Sequence, residues 1–597
     1  MRALDGANLF AAGRCITLTV DWGDGLQADV ARLDAALSAL VAHPAMAAAP
    51  PPPGHATRKD RPDRAVAWIA AGLQRTLGHR LPALRGGLSS RLSDRIVVPV
   101  WDPAIGRDAA VAAFRLVAAI LSADDDGAAA AVARTLDVFG ENARMLALPE
   151  SETRLVAAAE RRGIPWRRLV PDRVTLAFGD GARQMRTHHT FSPVTSHLAS
   201  VLSTRKDVAA ELLRGHGLPV PANHLVGTVD GAIRAAEVLG WPVVVKPNTT
   251  DHGTAVSVGV RDRDEMREAF AAAVRHGAVL VEQQIAGDHT RLLVIHGRFV
   301  SAVTQVPARV TGDGARSVAA LVAAVNAGRT DVLSHAFKKI VFDDEAHRLL
   351  ARQGLTPADV PQAGRTVVLR HTSNTSRGGT ATNVTASVHP DNIRLAEQAA
   401  RVIGLDVAGI DLITPDIARS HREVGGAICE INPTPGFFMR EPGFLVEDAF
   451  LDGWFSGGAD GRIPVVCVLD DEGAAGRAFS GLRARMPGVA FAARGVTFVG
   501  DWQVPVPGAD ASRTTRIVLA DPATRAAVVA VASRGVVETG LGFDRCTVAI
   551  VASFGGDDPA GRLARQLLDR ASAAVVRSDD AAGLAAAIER VVAAAGG

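Results

Sequence analysis

Between Thr204 and Asn432, short β-branched runs alternate with helix-length amphipathic stretches, and glycine or proline marks most of the junctions. A hydrophobic period that switches between two and 3.6 restricts such a segment to sheets covered by helices. Val208, Leu212 and Leu213 form one helical face, Thr204 and Asp207 have capping-box spacing, and Gly217 with Pro219 supplies the stop. Trp241 to Lys246 (WPVVVK) and Ala278 to Glu282 (AVLVE) read as buried strands, and His296-Gly297 within Leu292 to Val300 suits a hairpin turn. A further helix is expected over Asn392 to Ile403, ending at Gly404. Strands GIDLI (Gly409 to Ile413) and AICEI (Ala427 to Ile431) follow it.

This is one unit of several, because 597 residues exceed a single core and correspond to about three to five domains. From Ala65 to about Val170 the pattern is helix-rich with short strands such as Ile96 to Val100, the stretch Ala109 to Leu121 reads as a helix, and no chemistry stands out. The Gly-rich Ser456 to Gly461 reads as a later boundary. From Pro464 onward short strands alternate with Ala-rich helices, as in an α/β unit. The expected fold class is therefore multidomain, α/β and α+β.

Composition limits the function classes. The 65 Lys and Arg balance 63 Asp and Glu to a net charge of +2, so no chain-wide field exists to hold nucleic acid or an anionic membrane. With 48% hydrophobic and 21% charged residues the protein lies in the globular range. Cys15, Cys429, Cys467 and Cys546 are widely separated, without zinc-site spacing, which fits a reducing, cytoplasmic compartment. Ala35 to Thr57 carries no formal charge, but Pro44 and Pro50 to Pro53 make it a linker or loop rather than a membrane span. The first residues lack the pattern of a secretory signal or transit peptide.

Two lysines, then Glu282, then Asp411 and a Glu-x-Asn pair form an ordered set of candidate functional residues. Glu430 and Asn432 stand two apart on one strand and point to the same face, where Asp411 from the neighbouring run can join them. Three hard oxygen donors suit Mg²⁺ presented with a nucleotide; the same spacing also fits acids at strand ends facing solvent. Lys246 ends a run of three valines, and Lys206 lies in the first turn of its helix. Either ammonium group can neutralise phosphate oxygens or simply snorkel to the surface.

This order resembles an ATP-grasp ligase, and specifically the ATP-grasp module of the cyanophycin synthetase family, over roughly residues 192 to 442. The motifs that carry the resemblance are Thr195 to Ala199 (TSHLA), Lys246 to Gly253 (KPNTTDHG), Gly287 to Arg298 (GDHTRLLVIHGR), Gly312 to Leu321 (GDGARSVAAL), Ser376 to Ala381 (SRGGTA), Ala408 to Ile417 (AGIDLITPDI) and Cys429 to Phe437 (CEINPTPGF). The resemblance implies that Lys206 and Lys246 hold ATP phosphates, that Glu282 meets the adenine side, and that Asp411, Glu430 and Asn432 position Mg²⁺. It also implies that Arg291 and the Ser376 to Gly379 loop, with Gly378 and Gly379, stabilise an acyl phosphate and its tetrahedral successor. Ser196, His252 and Arg370 become substrate-side residues, His252 also in a catalytic or orienting role.

The sequence departs from the family pattern in several places. Thr249 to Ala255 replaces a Gly-rich loop, His289 stands where an acid is expected with Asp288 one place early, and Asn383 and Arg440 replace the usual Asp and His. Arg462 to Val468 (RIPVVCV) and Glu538 to Val551 resemble the Mur-ligase-like half of the bifunctional enzymes. Asp470 to Ala475 (DDEGAA), however, replaces its phosphate loop, and the tail to Gly597 is short for the missing lobe. The resemblance thus implies three parts: residues 1–165 as a polymer-binding N-terminal domain, 166–458 as the ATP-grasp ligase, and 459–597 as a truncated, inactive Mur-ligase-like domain. One working ATP site resembles the type that joins β-aspartyl-arginine dipeptides. ATP and Mg²⁺ are the implied cofactors, peptide polymer and dipeptides the partners, and a homo-oligomer, dimer or larger, the assembly. A ligase making a different or short amide and a noncatalytic polymer-binding companion are the other readings.

Overall fold

The structure is a computed structural model of the 597-residue protein, and it describes all residues except 5, 21, 23–29, 42, 47–60, 84–94, 123–124, 171–173, 251–252, 328, 330–338, 371–377, 438–445, 553–557 and 597. Strands Arg2–Leu4, Cys15–Leu18 and Ile96–Pro99 form an antiparallel sheet. Helices Arg61–Thr76 and Pro103–Ser122 pack against it around Ile16, Ile69, Leu73, Val98 and Leu116. Alanines at 109, 110, 112 and 113 are buried, so small side chains let the 103–122 helix approach its neighbours closely. The uncharged stretch expected to be a linker instead enters helix Val30–Val41 and the short turn Pro44–Met46. Leu33 and Leu37 bury a helical stripe there, which outweighs the missing charges, while residues 47–57 of that stretch lie outside the described residues.

Helix Glu150–Arg161 and the antiparallel sheet of Trp166–Arg168, Thr175–Phe178 and Met185–His188 come next. Leu155, Val156, Trp166 and Phe178 share one core with Phe437 and Phe450. Two further sheets build the middle of the protein. One has four antiparallel strands in the order 223–226, 279–283, 243–247, 257–260, packed on helices Val229–Leu239 and Arg263–Ala273. The other has five in the order 380–383, 298–306, 288–295, 407–414, 427–432, packed on helix Pro390–Ile403. The 392–403 periodicity is realised one turn-edge early, with Pro390 in the first turn and Gly404 as a left-handed cap. His296 (φ 50°) and Gly297 (φ 72°) make the hairpin turn joining 288–295 to 298–306.

Thr204 does not cap the helix that follows it: it ends helix His197–Thr204, and its hydroxyl donates to the Val201 carbonyl at 3.0 Å. Helix Lys206–Gly215 takes its cap from afar, the Asn248 side-chain oxygen accepting from the Asp207 amide at 3.0 Å. A tertiary partner at the end of the 243–247 strand thus replaces the local capping box and ties the two elements together.

From Val465 a seven-stranded sheet runs in the order 502–503, 496–499, 489–493, 526–531, 465–469, 548–551, 575–577. The five strands from 489–493 to 575–577 are parallel, and both faces are covered, by two separate cores. The three central strands, 526–531, 465–469 and 548–551, read as continuous apolar runs because they are covered on both faces. Among the described residues no helix is long and apolar enough to cross a membrane.

Candidate functional site

A cavity of about 1150 Å³ is walled by the four-stranded and five-stranded sheets. Lys206, Lys246, Glu282, Arg291, Asp411, Glu430 and Asn432 all line it. Lys246 and Glu282 lie on adjacent antiparallel strands, diagonal to one another, and their side chains meet at 2.6 Å with each residue 6% exposed. Burial alone pulls the Lys246 ammonium down, but Glu282 with Cys429 and Glu430 holds it above the ordinary lysine value, so it stays charged. Lys206 reaches from its helix to the Thr250 carbonyl at 2.7 Å and to Glu430 at 2.9 Å, joining the two sheets across the cavity.

On the second sheet, register does the positioning. Arg291 faces Asp411 and Asp411 faces Glu430 across three adjacent strands, and a bulge follows Asp411 before Leu412 pairs with Ile428. Arg291 grips Asp411 bidentately, both contacts at 2.7 Å. His289, 3.3 Å away, and Asn432, 3.2 Å away, complete the surroundings of the same carboxylate. Burial would raise the Asp411 carboxyl, but Arg291 and His289 hold it well below the usual carboxylate range, and Asp411 in turn raises Arg291. Asp411, Glu430 and Asn432 form a hard-oxygen donor set that suits Mg²⁺ better than a soft metal. Both Asp411 oxygens already serve Arg291, so a cation bound there has to share them with the guanidinium. Six carboxylates line the cavity (Glu150, Glu152, Glu282, Asp288, Asp411 and Glu430) against Lys206, Lys246 and Arg291, so a polyanionic nucleotide needs accompanying cations.

Other expected site residues lie elsewhere. Ser196 caps helix His197–Thr204, its hydroxyl accepting from the Ala199 amide at 3.0 Å, and it does not line the cavity. Arg370 is buried just after strand Thr366–Val368, where it binds Asp343 and the Val341 carbonyl. Gly378 packs on Ile340, with its carbonyl accepting from Arg329 at 2.8 Å, and neither Gly378 nor Gly379 lines the cavity. His252, Ser376 and Arg440 lie outside the described residues. Asn383, which stands where the family usually has Asp, uses its side-chain oxygen to accept from the Thr385 amide and hydroxyl, at 2.8 and 2.6 Å, and does not line the cavity.

The stretch that looked chemically silent contributes a wall. Glu150, Ser151 and Glu152, in the first turn of helix Glu150–Arg161, line the cavity together with His189. Ser151 accepts from the Phe437 amide at 3.0 Å, and the buried Glu152 pairs with His189 at 2.9 Å. Acids in a helix's first turn are ordinary complements to its dipole, so nothing local in the sequence marks these as facing a distant strand end.

Near the C-terminal sheet, Asp471 caps a helix. Its carboxylate accepts from the Ala474 amide at 2.8 Å, at the N-terminus of helix Glu472–Arg483, and Asp470 (φ 56°) accepts from the Ser533 amide at 2.8 Å. A helix end that would otherwise suit an anion is filled by the protein's own charge.

No protein-family model matches the sequence. It is 32% identical over 477 residues to a cyanophycin synthetase of Trichormus variabilis, covering 78% of this protein and 52% of that one. It is 30% identical over 512 residues to a cyanophycin synthetase of Synechocystis sp., covering 81% and 58%. Over 251 residues it is 32% identical to the glutathione biosynthesis bifunctional protein GshAB of Mannheimia succiniciproducens, covering 41% and 33%. The protein thus spans about half the length of the curated cyanophycin synthetases it matches.

Proposed function

Because the protein is a homologue of the cyanophycin synthetases over 78% of its length, we propose that it is an ATP-dependent, ADP-forming carbon–nitrogen ligase that joins β-aspartyl-arginine dipeptides into polymer. The observation that carries this reading is the gathering of Lys206, Lys246, Arg291, Asp411, Glu430 and Asn432 around one cavity between two sheets. In it, the terminal backbone carboxylate of the growing peptide attacks the γ-phosphate of ATP, giving an acyl phosphate and ADP. The amine of the next dipeptide attacks that carbonyl, and phosphate leaves as the amide forms. Lys206 and Lys246 hold phosphate oxygens, and Glu282 keeps Lys246 charged and aimed. Arg291 stabilises the charge that develops on the acyl phosphate. Asp411, Glu430 and Asn432 would hold Mg²⁺, which when bound screens the charge of the triphosphate.

The choice of a preformed dipeptide rests on Asp470 and Asp471. Its own carboxylates fill two helix ends of the C-terminal unit, which supports a reading in which that unit neither takes a second ATP nor adds arginine. On this reading residues 1–165 carry polymer, 166–458 perform the ligation, 459–597 are a Mur-ligase-like remnant, and the protein assembles with copies of itself. A second reading, a ligase for a different or short amide, is favoured by His289 taking the expected position of an acid beside Asp411.

Mass spectrometry of products after incubation with ATP, Mg²⁺ and β-aspartyl-arginine tests the proposal. A ladder spaced by one dipeptide residue supports it, and a single short adduct favours the second reading. Equal background ATP hydrolysis in the wild type, Lys246→Ala and Glu430→Ala would favour a noncatalytic companion.

A further inference from the structure

The N-terminal unit, the 166–188 sheet and the C-terminal unit meet around a second cavity of about 850 Å³, which shares no wall residue with the one described above. The junction is built, with the Ala7 amide donating to the Phe543 carbonyl at 2.7 Å and the Ala182 amide to the Thr524 carbonyl at 2.7 Å. Eight arginines line this cavity against four acids. The acids are already engaged: Asp102 by Arg168, Asp180 by Arg167, Asp544 by Arg462, and Glu160 by the Trp166 indole.

Cationic capacity is left over. Among the described residues Arg80, Arg107 and Arg570, each from a different part of the sequence and each exposed, meet no carboxylate. Arg14 lies over the Trp166 ring at 4.5 Å and donates to the Trp101 and Trp166 carbonyls, which brings its positive charge to the same wall. The buried Nε of Arg167 has no acceptor among the described residues. Burial, with Arg186 and Arg14 nearby, holds Arg167 below the ordinary arginine value despite Asp180. Surfaces that come together only to pack do not gain from concentrating unpaired like charges, whereas a concave positive wall focuses a field on a small anion. Guanidinium groups arriving from three segments suit a ligand with several oxyanion groups, whether carboxylates or phosphates.

We propose that this cavity is a binding site for a compact multivalent oxyanion, held by Arg80, Arg107 and Arg570 at the junction of the N-terminal and C-terminal units. The site is independent of the ligase reading, and its test requires no turnover. Inorganic pyrophosphate and citrate are titrated separately into the full-length protein by calorimetry, with tryptophan emission followed in parallel because Trp101 and Trp166 line the cavity. The expected result is saturable binding of one or both probes, weakened by added salt and weakened about tenfold or more in R107A/R570A. Both side chains are exposed, so this variant retains the fold, and Arg267→Ala, an exposed residue of the Arg263–Ala273 helix that does not line this cavity, leaves binding unchanged. Preference for pyrophosphate identifies phosphate as the source chemistry, and preference for citrate identifies carboxylate. Absence of binding by both probes up to about 10 mM, or equal affinity in wild type and R107A/R570A, overturns the proposal.

Discussion

Asp411 carries more of the local electrostatics than any other side chain in the main cavity, since Arg291, His289 and Asn432 all converge on it. The buried Lys246–Glu282 pair is as tightly coupled, and removing one partner strands the other charge in a desolvated place. Lys246→Met and Glu430→Gln are each expected to cut ATP consumption about a hundredfold or more, measured as ADP release, and near-wild-type turnover in either would remove the assigned roles. That Lys206, Lys246, Glu282, Asp411, Glu430 and Asn432 share one cavity was legible in the sequence because each sits in a strand or at a helix start inside a strongly patterned segment. Ser196 and Arg370, expected on the substrate side, do not line the cavity, and a serine before a helix and an arginine after a strand serve here as a cap and as an ion-pair partner. Glu150, Glu152 and His189 were illegible, since they reach the cavity only through tertiary packing between parts far apart in the sequence.

Individual elements explain how these side chains keep their aim. The 288–295 strand is launched by Gly287, whose φ of 129° and close approach leave no space: an added Cβ would lie 2.2 Å from the Thr414 backbone carbon. Gly287→Ala should therefore cost about 2 kcal/mol of stability and misplace Arg291, which parallel thermal-melt and turnover measurements would register. In the N-terminal unit, His79 is buried against Trp101, ring centroids 4.8 Å apart, and burial pushes its pKa down to about 4, opposed by Asp102 and reinforced by Arg168. It is neutral in the folded state, whereas in the unfolded state it takes up a proton below about 6.5. Its contribution to stability is thus lost as pH falls from about 6.5 towards about 4, amounting to about 2 kcal/mol between about pH 7 and about pH 5. Calorimetric melts should show that acid sensitivity in the wild type and a smaller one in His79→Phe. The strands were legible because alternation and apolar runs are local, as at 243–247, 279–283 and 427–432. The order in which they pair was not, and the cap that Asn248 provides for helix Lys206–Gly215 displaced the local capping box that the sequence advertised.

At the scale of the whole molecule, two α/β-type bodies with different chemistry sit in one polypeptide. The middle sheets enclose a cavity rich in both charges, while the C-terminal parallel sheet ends in acids that fill its own helix terminus. One nucleotide per protomer is accordingly expected in calorimetry with a nonhydrolysable ATP analogue and Mg²⁺, and a stoichiometry of two would contradict the reading of Asp470 and Asp471. The class of each body was legible from its periodicity, but the arginine-lined junction between them was not, because its walls are drawn from segments hundreds of residues apart. The central claim is that ATP activates a peptide carboxylate by phosphorylating it, and oxygen labelling reads that transfer directly. With the growing peptide's terminal carboxylate enriched in ¹⁸O, turnover should release ADP together with inorganic phosphate carrying one labelled oxygen. Unlabelled phosphate, or release of AMP and pyrophosphate in place of ADP, would contradict the account.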